Sequence, residues 1–420
     1  MNWLPRGSMP GQLDEDAKFM ETIESGIINH AHSQALRHAI EKGAFDPTYL
    51  TSILGSGPVE EFEQAFAKAA GTKYAVALSS CTAAIHTALM AFGIGVGDEV
   101  IVSPYSWGQS VSPVLFTGAT AVFADIDPDT LTIDPVSVEK RLSARTKAII
   151  PVHLFGNPAN MKGICAIAKR HGMAVISDSA QGFGALSKGH KIGSLGDSAC
   201  FSLGRGKAVC GGEGGVLVSN NNTLHERAIC ISQHPLRTFR QITAGIDYPF
   251  LDELNWNYRI HPLAAILALA DLKVAGERVN HRQTVLKTVC EQFEAISGFK
   301  TIRCYPGDCS AAYGVPLTYD FSDRMPRQLA VERLQADGFL IQAGPIRVPI
   351  YLRPTFQQRA SKFGPQIVHH YTHEKGSCPV AENRCEHQEL LLFEASVLDK
   401  LDENKVKNVI WDLKGRLSEL

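Results

Sequence analysis

The sequence predicts an α/β protein in which a mainly parallel sheet is flanked by helices and is followed by a smaller C-terminal α+β domain. Apolar runs alternate with helical patterns from residue 58 to residue 232, which is typical of a parallel sheet covered on both faces. From residue 300 onward strands and helices no longer alternate regularly. With 420 residues, 45% of them hydrophobic, the chain is long enough for two domains with sizeable cores.

The alternating part begins with a helix at residues 58–70, where Phe62, Phe66 and Ala69 recur at helical spacing behind Pro58. Strands are predicted in GTKYAVALSS, DEVIVSPY, TAVFADID, the second half of SVEKRLSARTKAIIPVHLFG, MAVISDSA, DSACFSLG and GGVLVSNN. Further helices are predicted in CTAAIHTALMAFGIG, VSPVLFTG, the first half of SVEKRLSARTKAIIPVHLFG, NMKGICAIAKRHG and TLHERAICIS. Ligands of parallel sheets bind beyond the carboxyl ends of the strands, so we expect the functional site in the loops that follow them.

The C-terminal part is predicted to form the smaller domain. A long helical stretch at residues 261–296 leads into it, and we expect this stretch to bend or break. Beyond it, AAYGVPLTYD predicts a strand, and PRQLAVERLQADG, CEHQELLLFEA and DENKVKNVIWDLKGRL predict helices. We therefore place the large domain at residues 10–275 and the small domain at residues 276–420. Residues 1–9, which contain LPRGS, resemble the remnant of an expression tag.

Composition and charge argue against several classes of partner. The formal net charge is -2, so no strong field for nucleic acid or an anionic membrane is expected. No apolar run approaches the roughly 18 residues of a membrane span and the N-terminus lacks a signal-peptide pattern, which indicates a cytoplasmic protein. The ten cysteines include no CxxC pair and the histidines of HHYTHEKGSC are irregularly spaced, so we expect reduced thiols and no metal site.

Two loops that follow predicted strands carry groups suited to a phosphate and to a cation. Ser79 to Thr82 end one strand and precede a helix, so their hydroxyls and free N–H groups could hold a phosphate; simple helix capping is the alternative. Asp178 ends the strand of VISDSA. A carboxylate there is desolvated unless it meets a cation or a hydrogen-bond donor, and the alternative is another helix N-cap.

Two further loops carry an aromatic side chain and an isolated amine. Trp107 in SPYSWGQS could stack on a planar ring or pack in the core. Lys207 stands in FSLGRGKAVCGGEGG, where glycines would let a bulky ligand approach the backbone. A phosphate cradle, a carboxylate, an aromatic plate and such a lysine together suit pyridoxal 5′-phosphate, whose aldehyde forms a Schiff base with lysine and whose pyridine nitrogen needs a carboxylate partner.

The chain as a whole resembles the DegT/DnrJ/EryC1/StrS family of fold-type-I pyridoxal-phosphate aminotransferases. These enzymes place amino groups on nucleotide-activated keto sugars and on some ketocyclitols. The similar segments follow the family's order: GSGPVEEFEQAFAKAAGTKYAVALSSCTAAIHTAL, GVGDEVIVSPYSW, GATAVFADID, IIPVHLFGNPANM, ISDSAQGFGA, FSLGRGK, GGEGGVLVSNN, LNWNYRIHPLAAILALADLK and CPVAENRCEHQELLLF. An ordered set that spans most of the chain is far more specific than any one motif.

This resemblance implies roles for four residues around the cofactor ring. Lys207 would carry the cofactor as a Schiff base and would later move the proton, and Asp178 would be the partner of the pyridine nitrogen. Gln181 would contact the ring near its 3-hydroxyl group, and Trp107 would stack on the ring. Family members that remove a hydroxyl carry histidine in place of the lysine, so Lys207 favours transamination.

The resemblance also implies a phosphate site that two subunits share. Ser202, Cys81 and Thr82 would hold the cofactor phosphate. Asn257 of the NYR motif would reach the phosphate of the neighbouring subunit, which implies a homodimer. The amino donor would be glutamate or glutamine and the acceptor a keto sugar, with a nucleotide-linked sugar as the first expectation. The alternatives are a ketocyclitol or other non-nucleotide carbonyl, and a regulatory protein that binds the cofactor without turnover.

Three departures from the family pattern bear on the acceptor. The usual SGT turn is SCT here, which brings a thiol close to the expected phosphate site. Arg205 lies unusually close to Lys207, and Tyr351 stands in PIYLRPTF where many members have histidine. The basic segment at residues 234–241 could contact a nucleotide diphosphate, and a solvated loop is the alternative.

Overall fold

The structure is a computed structural model. It describes residues 30–41, 53–242, 255–293, 296, 298–320, 325–357 and 373–417. None of the described helices is long and apolar enough to cross a membrane. All ten cysteines are free thiols.

A seven-stranded sheet forms the centre of the molecule, as the alternating sequence pattern predicts. The strands up to residue 219 are β1 (Tyr74–Leu78), β2 (Glu99–Val102), β3 (Thr120–Phe123), β4 (Thr146–Ile150), β5 (Ala174–Asp178), the ribbon strands β6 (Leu186–Ser187) and β7 (His190–Lys191), then β8 (Ser198–Ser202) and β9 (Gly215–Ser219). The spatial order of the main sheet is β1-β9-β8-β5-β4-β2-β3. β8, β5, β4, β2 and β3 pair in parallel, and β9 pairs antiparallel with both of its neighbours. The prediction of a mainly parallel sheet is confirmed.

Helices cover the sheet, and apolar packing accounts for most of their positions. Their bounds are α1 (His30–Glu41), α2 (Pro58–Ala70), α3 (Cys81–Ala91), α4 (Ser112–Phe116), α5 (Pro135–Lys140), α6 (Met161–His171), α7 (Asn222–Ser232), α8 (Pro235–Gln241) and α9 (Pro262–Leu272). In α2, Phe62 and Phe66 are fully buried, and the helix ends at Gly71 in the left-handed region. α3 is apolar on nearly all sides because it is sandwiched between the sheet and α7.

A second, antiparallel sheet forms the core of the C-terminal part. It contains β10 (Phe299–Thr301), β11 (Gly314–Tyr319), β12 (Gln342–Ala343) and β13 (Glu389–Glu394), in the spatial order β10-β11-β13-β12. The helices of this part are α10 (Ala275–Phe293), α11 (Arg327–Ala336), α12 (Pro354–Gln357), α13 (Pro379–Asn383), α14 (Ala395–Leu398) and α15 (Glu403–Leu417). The expected smaller α+β unit is therefore present.

The prediction of a helix in CEHQELLLFEA is wrong. A single π-helical turn covers Arg384–Gln388, and the apolar run that follows is the strand β13. β13 lies between β11 and β12, and its first five residues are buried. A short apolar run fits a buried strand as well as a buried helix, and here pairing with β11 decides for the strand.

The long helical stretch does break, between α9 and α10 at residues 273–274. α10 then packs against α15 of the C-terminal part, so the break redirects the chain toward the second sheet. We propose that the domain boundary expected at residues 275 and 276 coincides with the start of α10.

The basic segment at residues 234–241 forms the short helix α8. Its Arg237 is neither in a solvated loop nor available to a nucleotide diphosphate. Arg237 is 1% exposed. Its guanidinium donates to both carboxylate oxygens of Glu63, at 2.7 and 3.0 Å, so it holds α8 against α2. Arg240 forms an ion pair with Glu60, which also lies on α2. These arginines already have protein partners, so the interpretation as a diphosphate site is withdrawn.

Candidate functional site

A cavity of about 1070 Å³ opens at the carboxyl ends of the parallel strands. Seven of the eight predicted site residues line it: Cys81, Thr82, Trp107, Asp178, Gln181, Ser202 and Lys207. The eighth, Asn257, is exposed in the segment before α9 and does not line this cavity. Residues of the C-terminal part form the opposite wall, among them Phe339, Leu391 and Val397.

The start of α3 forms one end of the cavity. Ser80 caps the helix by accepting a hydrogen bond from the Ala83 N–H at 3.0 Å. The first N–H groups of a helix have no acceptor within it, so the N–H groups of Cys81 and Thr82 are suited to an anion. A Cβ on Gly215 would lie only 2.2 Å from the Ser80 carbonyl carbon, so this close approach of β9 requires glycine. The side chain of Ser80 caps the helix, whereas the N–H groups of Cys81 and Thr82 are suited to an anion, so capping and anion binding are compatible here.

The thiol that replaces the family's glycine points toward the sheet. Cys81 Sγ lies 3.3 Å from the carbonyl oxygen of Cys200, and 4.0 Å from Asp178 Oδ1. Burial raises the pKa of this thiol well above its usual value. Cys81 is thus a neutral, inward-facing side chain, and its backbone N–H is the group suited to a phosphate.

Asp178 is a buried carboxylate at the end of β5, with 5% of its surface exposed. Ser110 Oγ donates to its Oδ2 at 2.6 Å, and the Ala180 N–H donates to its Oδ1 at 3.0 Å. Burial raises the pKa of this carboxyl, while these two hydrogen bonds and the charge of Lys207 oppose the rise. Among the described residues no lysine or arginine forms an ion pair with Asp178, and no described helix begins at it. The N-cap alternative is therefore wrong.

Trp107 is 47% exposed at the cavity, so core packing does not explain it. Its loop is anchored to the C-terminal part. Tyr105 Oη donates to Glu389 Oε1 at 2.6 Å, and the Ile350 N–H donates to the Pro104 carbonyl at 2.9 Å. Burial raises the pKa of Glu389 to about 7, although Arg384 and the bond from Tyr105 act in the opposite direction. Contacts with the C-terminal part thus position the loop that carries Trp107.

Lys207 projects into the cavity from the loop between β8 and β9. Its Nζ lies 3.1 Å from Tyr313 Oη and 4.2 Å from the centroid of the same ring. Three of the surrounding glycines have a positive φ that favours glycine, 78° at Gly206, 85° at Gly212 and 137° at Gly214. A Cβ on Gly211 would lie 2.6 Å from the Ala264 carbonyl oxygen of α9. Backbone geometry and packing against α9 therefore account for part of this glycine-rich sequence.

Gln181 and Ser202 also line the cavity but already have backbone partners. Gln181 Oε1 accepts from the Phe155 N–H at 2.5 Å, and Phe155 has an unusual left-handed φ of 55°. Ser202 Oγ accepts from the Gly204 N–H at 3.3 Å. Both side chains are therefore held in fixed orientations at the cavity wall.

Sequence reasoning missed two functional candidates, Ser110 and Tyr313. Ser110 lies three residues after Trp107 in the segment that follows β2. Its closeness in sequence to a predicted site residue was the signal that could have identified it. Tyr313 immediately precedes β11, and nothing in its local sequence relates it to a lysine 106 residues away.

The departures from the family pattern fall in two classes. Arg205 is exposed and lines the cavity. Tyr351 is 1% exposed, and its hydroxyl contacts Glu382 and the Cys378 N–H, so it is a packed core residue.

In the described part of the chain no group of three or more His, Cys, Asp or Glu residues could hold a metal ion. Residues 369–372 of the histidine segment lie outside the described residues.

The described residues fit pyridoxal phosphate. A desolvated carboxylate that accepts hydrogen bonds and has no ion-pair partner among the described residues is suited to a protonated pyridine nitrogen, which Asp178 could meet. The amine of Lys207 reaches the same cavity, and the start of α3 is suited to a phosphate. These groups match the cofactor's nitrogen, aldehyde and phosphate.

Comparisons with known proteins agree with this geometry. The profile of the DegT/DnrJ/EryC1/StrS aminotransferase family matches residues 47–410. The spore coat polysaccharide biosynthesis protein SpsC of Bacillus subtilis (strain 168) is 34% identical over 310 residues, which cover 73% of this chain and 80% of that protein. GDP-perosamine synthase of Caulobacter vibrioides is 33% identical over 320 residues, 75% of this chain and 82% of that protein. An aminotransferase structure from Psychrobacter cryohalolentis superposes with a TM-score of 0.79 at 25% identity, covering 94% of this chain and 98% of that one.

Proposed function

The chain belongs to the DegT/DnrJ/EryC1/StrS aminotransferase family, and on that basis we propose that it moves an amino group from glutamate or glutamine to a keto sugar carried on a nucleotide. It is a pyridoxal-phosphate enzyme of amino-sugar biosynthesis. The observation that carries the proposal is that Lys207, Asp178 and Trp107, which lie at or beyond the ends of three separate strands, line one cavity.

Each of these side chains has a distinct task in the proposed reaction. Pyridoxal phosphate, when bound, supplies an electron sink and a carbonyl that takes up and releases the amino group. Lys207 would hold the cofactor through Nζ and, when that amine is free, would take a proton from the substrate carbon. Asp178 would present a negative charge to the pyridine nitrogen, and Gln181 would lie beside the ring. The indole of Trp107 would stack on the ring and exclude water from one face.

The phosphate is bound at the start of α3 in this proposal. The backbone N–H groups of Cys81 and Thr82 would donate to it, and the hydroxyls of Thr82 and Ser202 would complete the anion site. The helix dipole adds a favourable field at this end, so the start of α3 would hold the cofactor by its phosphate.

A nucleotide-linked keto sugar is the acceptor that the cavity and the relatives support best. Small-molecule sites usually have volumes of roughly 300–1,000 Å³. The present cavity, at about 1070 Å³, is just above that range, which suits a cofactor together with a large acceptor. The names of two relatives refer to GDP-perosamine and to a spore coat polysaccharide.

The acceptor is tested with glutamate and glutamine that carry heavy nitrogen in the amino group. The loaded enzyme is incubated with keto-sugar nucleotides, the same sugars without nucleotide, and ketocyclitols, and products are analysed by mass spectrometry. We expect the label in the nucleotide-linked product, with turnover of the free sugars lower by about a hundredfold or more because the remote nucleotide contacts are lost. Preferential labelling of a ketocyclitol would replace the proposed acceptor with the alternative one.

We also propose that the active protein is a homodimer in which Asn257 reaches the cofactor phosphate of the partner. Asn257 is exposed and lies outside the cavity of its own chain. Beside it, Trp256 is 48% exposed and stacks on Tyr258, which places an apolar surface next to a hydrogen-bonding side chain. Exposed aromatic side chains of this kind are common in the core of protein interfaces.

Asn257→Ala is expected to weaken cofactor binding by about tenfold, because one hydrogen bond to a charged phosphate is lost. Cofactor affinity is measured by fluorescence titration, and oligomeric state by sedimentation velocity. Asn404→Ala, an exposed asparagine on α15, is the matched control and should bind the cofactor normally. A monomer with wild-type affinity, or an unchanged affinity in the Asn257 variant, would contradict the shared site.

A further inference from the structure

The phenol of Tyr313 contacts the amine of Lys207. The two atoms lie 3.1 Å apart, a hydrogen-bond distance, and the amine also lies 4.2 Å from the ring centroid. Both side chains line the main cavity. The contact joins the glycine-rich loop of the large sheet to the segment that precedes β11 in the second sheet.

Backbone hydrogen bonds fix the position of Tyr313. Its N–H donates to the Phe155 carbonyl at 2.9 Å, and the Ala311 N–H donates to the Gly156 carbonyl at 2.9 Å. Between them Ala312 has a left-handed φ of 51°, and its N–H donates to Ser310 Oγ at 3.0 Å. Residues other than glycine seldom adopt such φ values, and those that do are often found at functional sites.

The same loop connection extends to another cavity residue. Phe155, whose carbonyl binds Tyr313, has φ 55° and donates its own N–H to Gln181 Oε1 at 2.5 Å. Phe155 is therefore hydrogen-bonded both to the side chain of Gln181 and to the backbone of Tyr313, whose phenol contacts Lys207. These hydrogen bonds fix the backbone of Tyr313 beside the cavity, and from there its phenol reaches Lys207.

We propose that Tyr313 is a further catalytic residue, whose hydroxyl holds Lys207 Nζ whenever that amine is free and stabilises it when it carries the transferred proton. The inference rests on the role of Lys207 under the proposed function. A phenol can both donate and accept, so it can donate to the neutral amine and accept from the ammonium ion. The ring face adds a cation–π attraction for the ammonium ion only.

The proton balance of this step is simple. Lys207 Nζ takes one proton from the substrate carbon and becomes an ammonium ion. The oxygen of Tyr313 then accepts a hydrogen bond from that ion and remains a neutral phenol throughout. Nζ would then deliver this proton to the former aldehyde carbon of the cofactor, not back to the substrate carbon, and would return to the neutral amine, so the proton moves between the two carbons and none is gained or lost overall.

The test measures the free amine directly, in the cofactor-free protein. Lys207 is labelled with an amine-selective acylating reagent at fixed mildly alkaline pH, and its rate of modification is followed by peptide mass spectrometry. Tyr313→Phe keeps the ring and removes the oxygen, so we expect labelling of Lys207 to accelerate by about tenfold as the charge-assisted hydrogen bond is lost. Tyr313→Leu, which also removes the ring face, is expected to label faster still.

Tyr305→Phe is the matched control, because Tyr305 lies in the same segment but does not line the cavity. It should label at the wild-type rate. If either folded Tyr313 variant labels Lys207 at the wild-type rate, the inference is overturned; the parallel Leu variant keeps the test decisive if the Phe variant does not fold.

A second readout separates this inference from the proposed function. Cofactor is added to each variant and the linkage to Lys207 is fixed with borohydride. We expect Tyr313→Phe to retain the linkage while its single-turnover rate with the amino donor falls about tenfold or more and its KM changes little. Loss of the linkage in the wild-type protein would contradict the proposed function itself. An intact linkage with unchanged labelling and turnover in the variant would contradict only the role of Tyr313.

Discussion

Lys207→Ala is expected to lose both the covalent link to the cofactor and at least about 10⁴-fold of its turnover, because one side chain holds the cofactor and moves the proton. Alanine leaves the fold intact, since Lys207 lies at a cavity wall and its loop is held by backbone contacts. Borohydride reduction followed by peptide mass spectrometry should find the cofactor on the peptide that contains Lys207 in the wild-type protein, and on no peptide in the variant.

Lys162→Ala is the control, because Lys162 is exposed on α6 and far from the cavity lining. It should keep the adduct and the activity. An adduct on a lysine other than Lys207 would place the reactive amine elsewhere and would remove the chemical basis of the account.

Asp178→Asn is expected to lower turnover by at least about a hundredfold, because a neutral amide cannot pair with a protonated pyridine nitrogen. The same change should not lower the melting temperature. Burial raises the pKa of Asp178 and therefore opposes its charged form, so removal of that charge lifts a desolvation cost from the folded state. Turnover is measured on cofactor-saturated samples and thermal unfolding on the cofactor-free proteins, where no pyridine nitrogen pairs with the carboxylate.

The matched control is Asp197→Asn, which alters an exposed carboxylate that accepts the Val175 N–H at 2.8 Å. Its activity should be close to wild type. An Asp178→Asn enzyme with near-normal turnover would show that the buried carboxylate has a structural role only.

Local sequence predicts the parts of the site that are set by strand ends. Asp178 ends β5, and Lys207 follows β8, so the strand pattern is enough to place both at the carboxyl edge of the sheet. Trp107 follows β2, so the same strand pattern places it at this edge of the sheet. Its exposure could not be predicted, because the anchor of its loop is the Tyr105 bond to Glu389, 284 residues away.

The errors have a common physical cause. The run that forms β13 is apolar on both faces, so only its pairing with β11 distinguishes strand from helix. Arg237 belongs to a basic segment by composition, but Glu63, 174 residues earlier, removes it from solvent. Tyr313 reaches Lys207 in the same long-range manner. Interactions between distant segments decided each of these positions, and no local pattern encodes them.

The most direct test of the account is the absorbance spectrum of the cofactor-loaded protein before and after addition of glutamate or glutamine. We expect a band near about 410–430 nm, from cofactor bound to Lys207, to fall while a band near about 330 nm rises as the cofactor takes the amino group. A keto-sugar nucleotide should then restore the first band. A loaded protein whose band does not change with either donor would contradict the central claim that this protein is an aminotransferase using these donors.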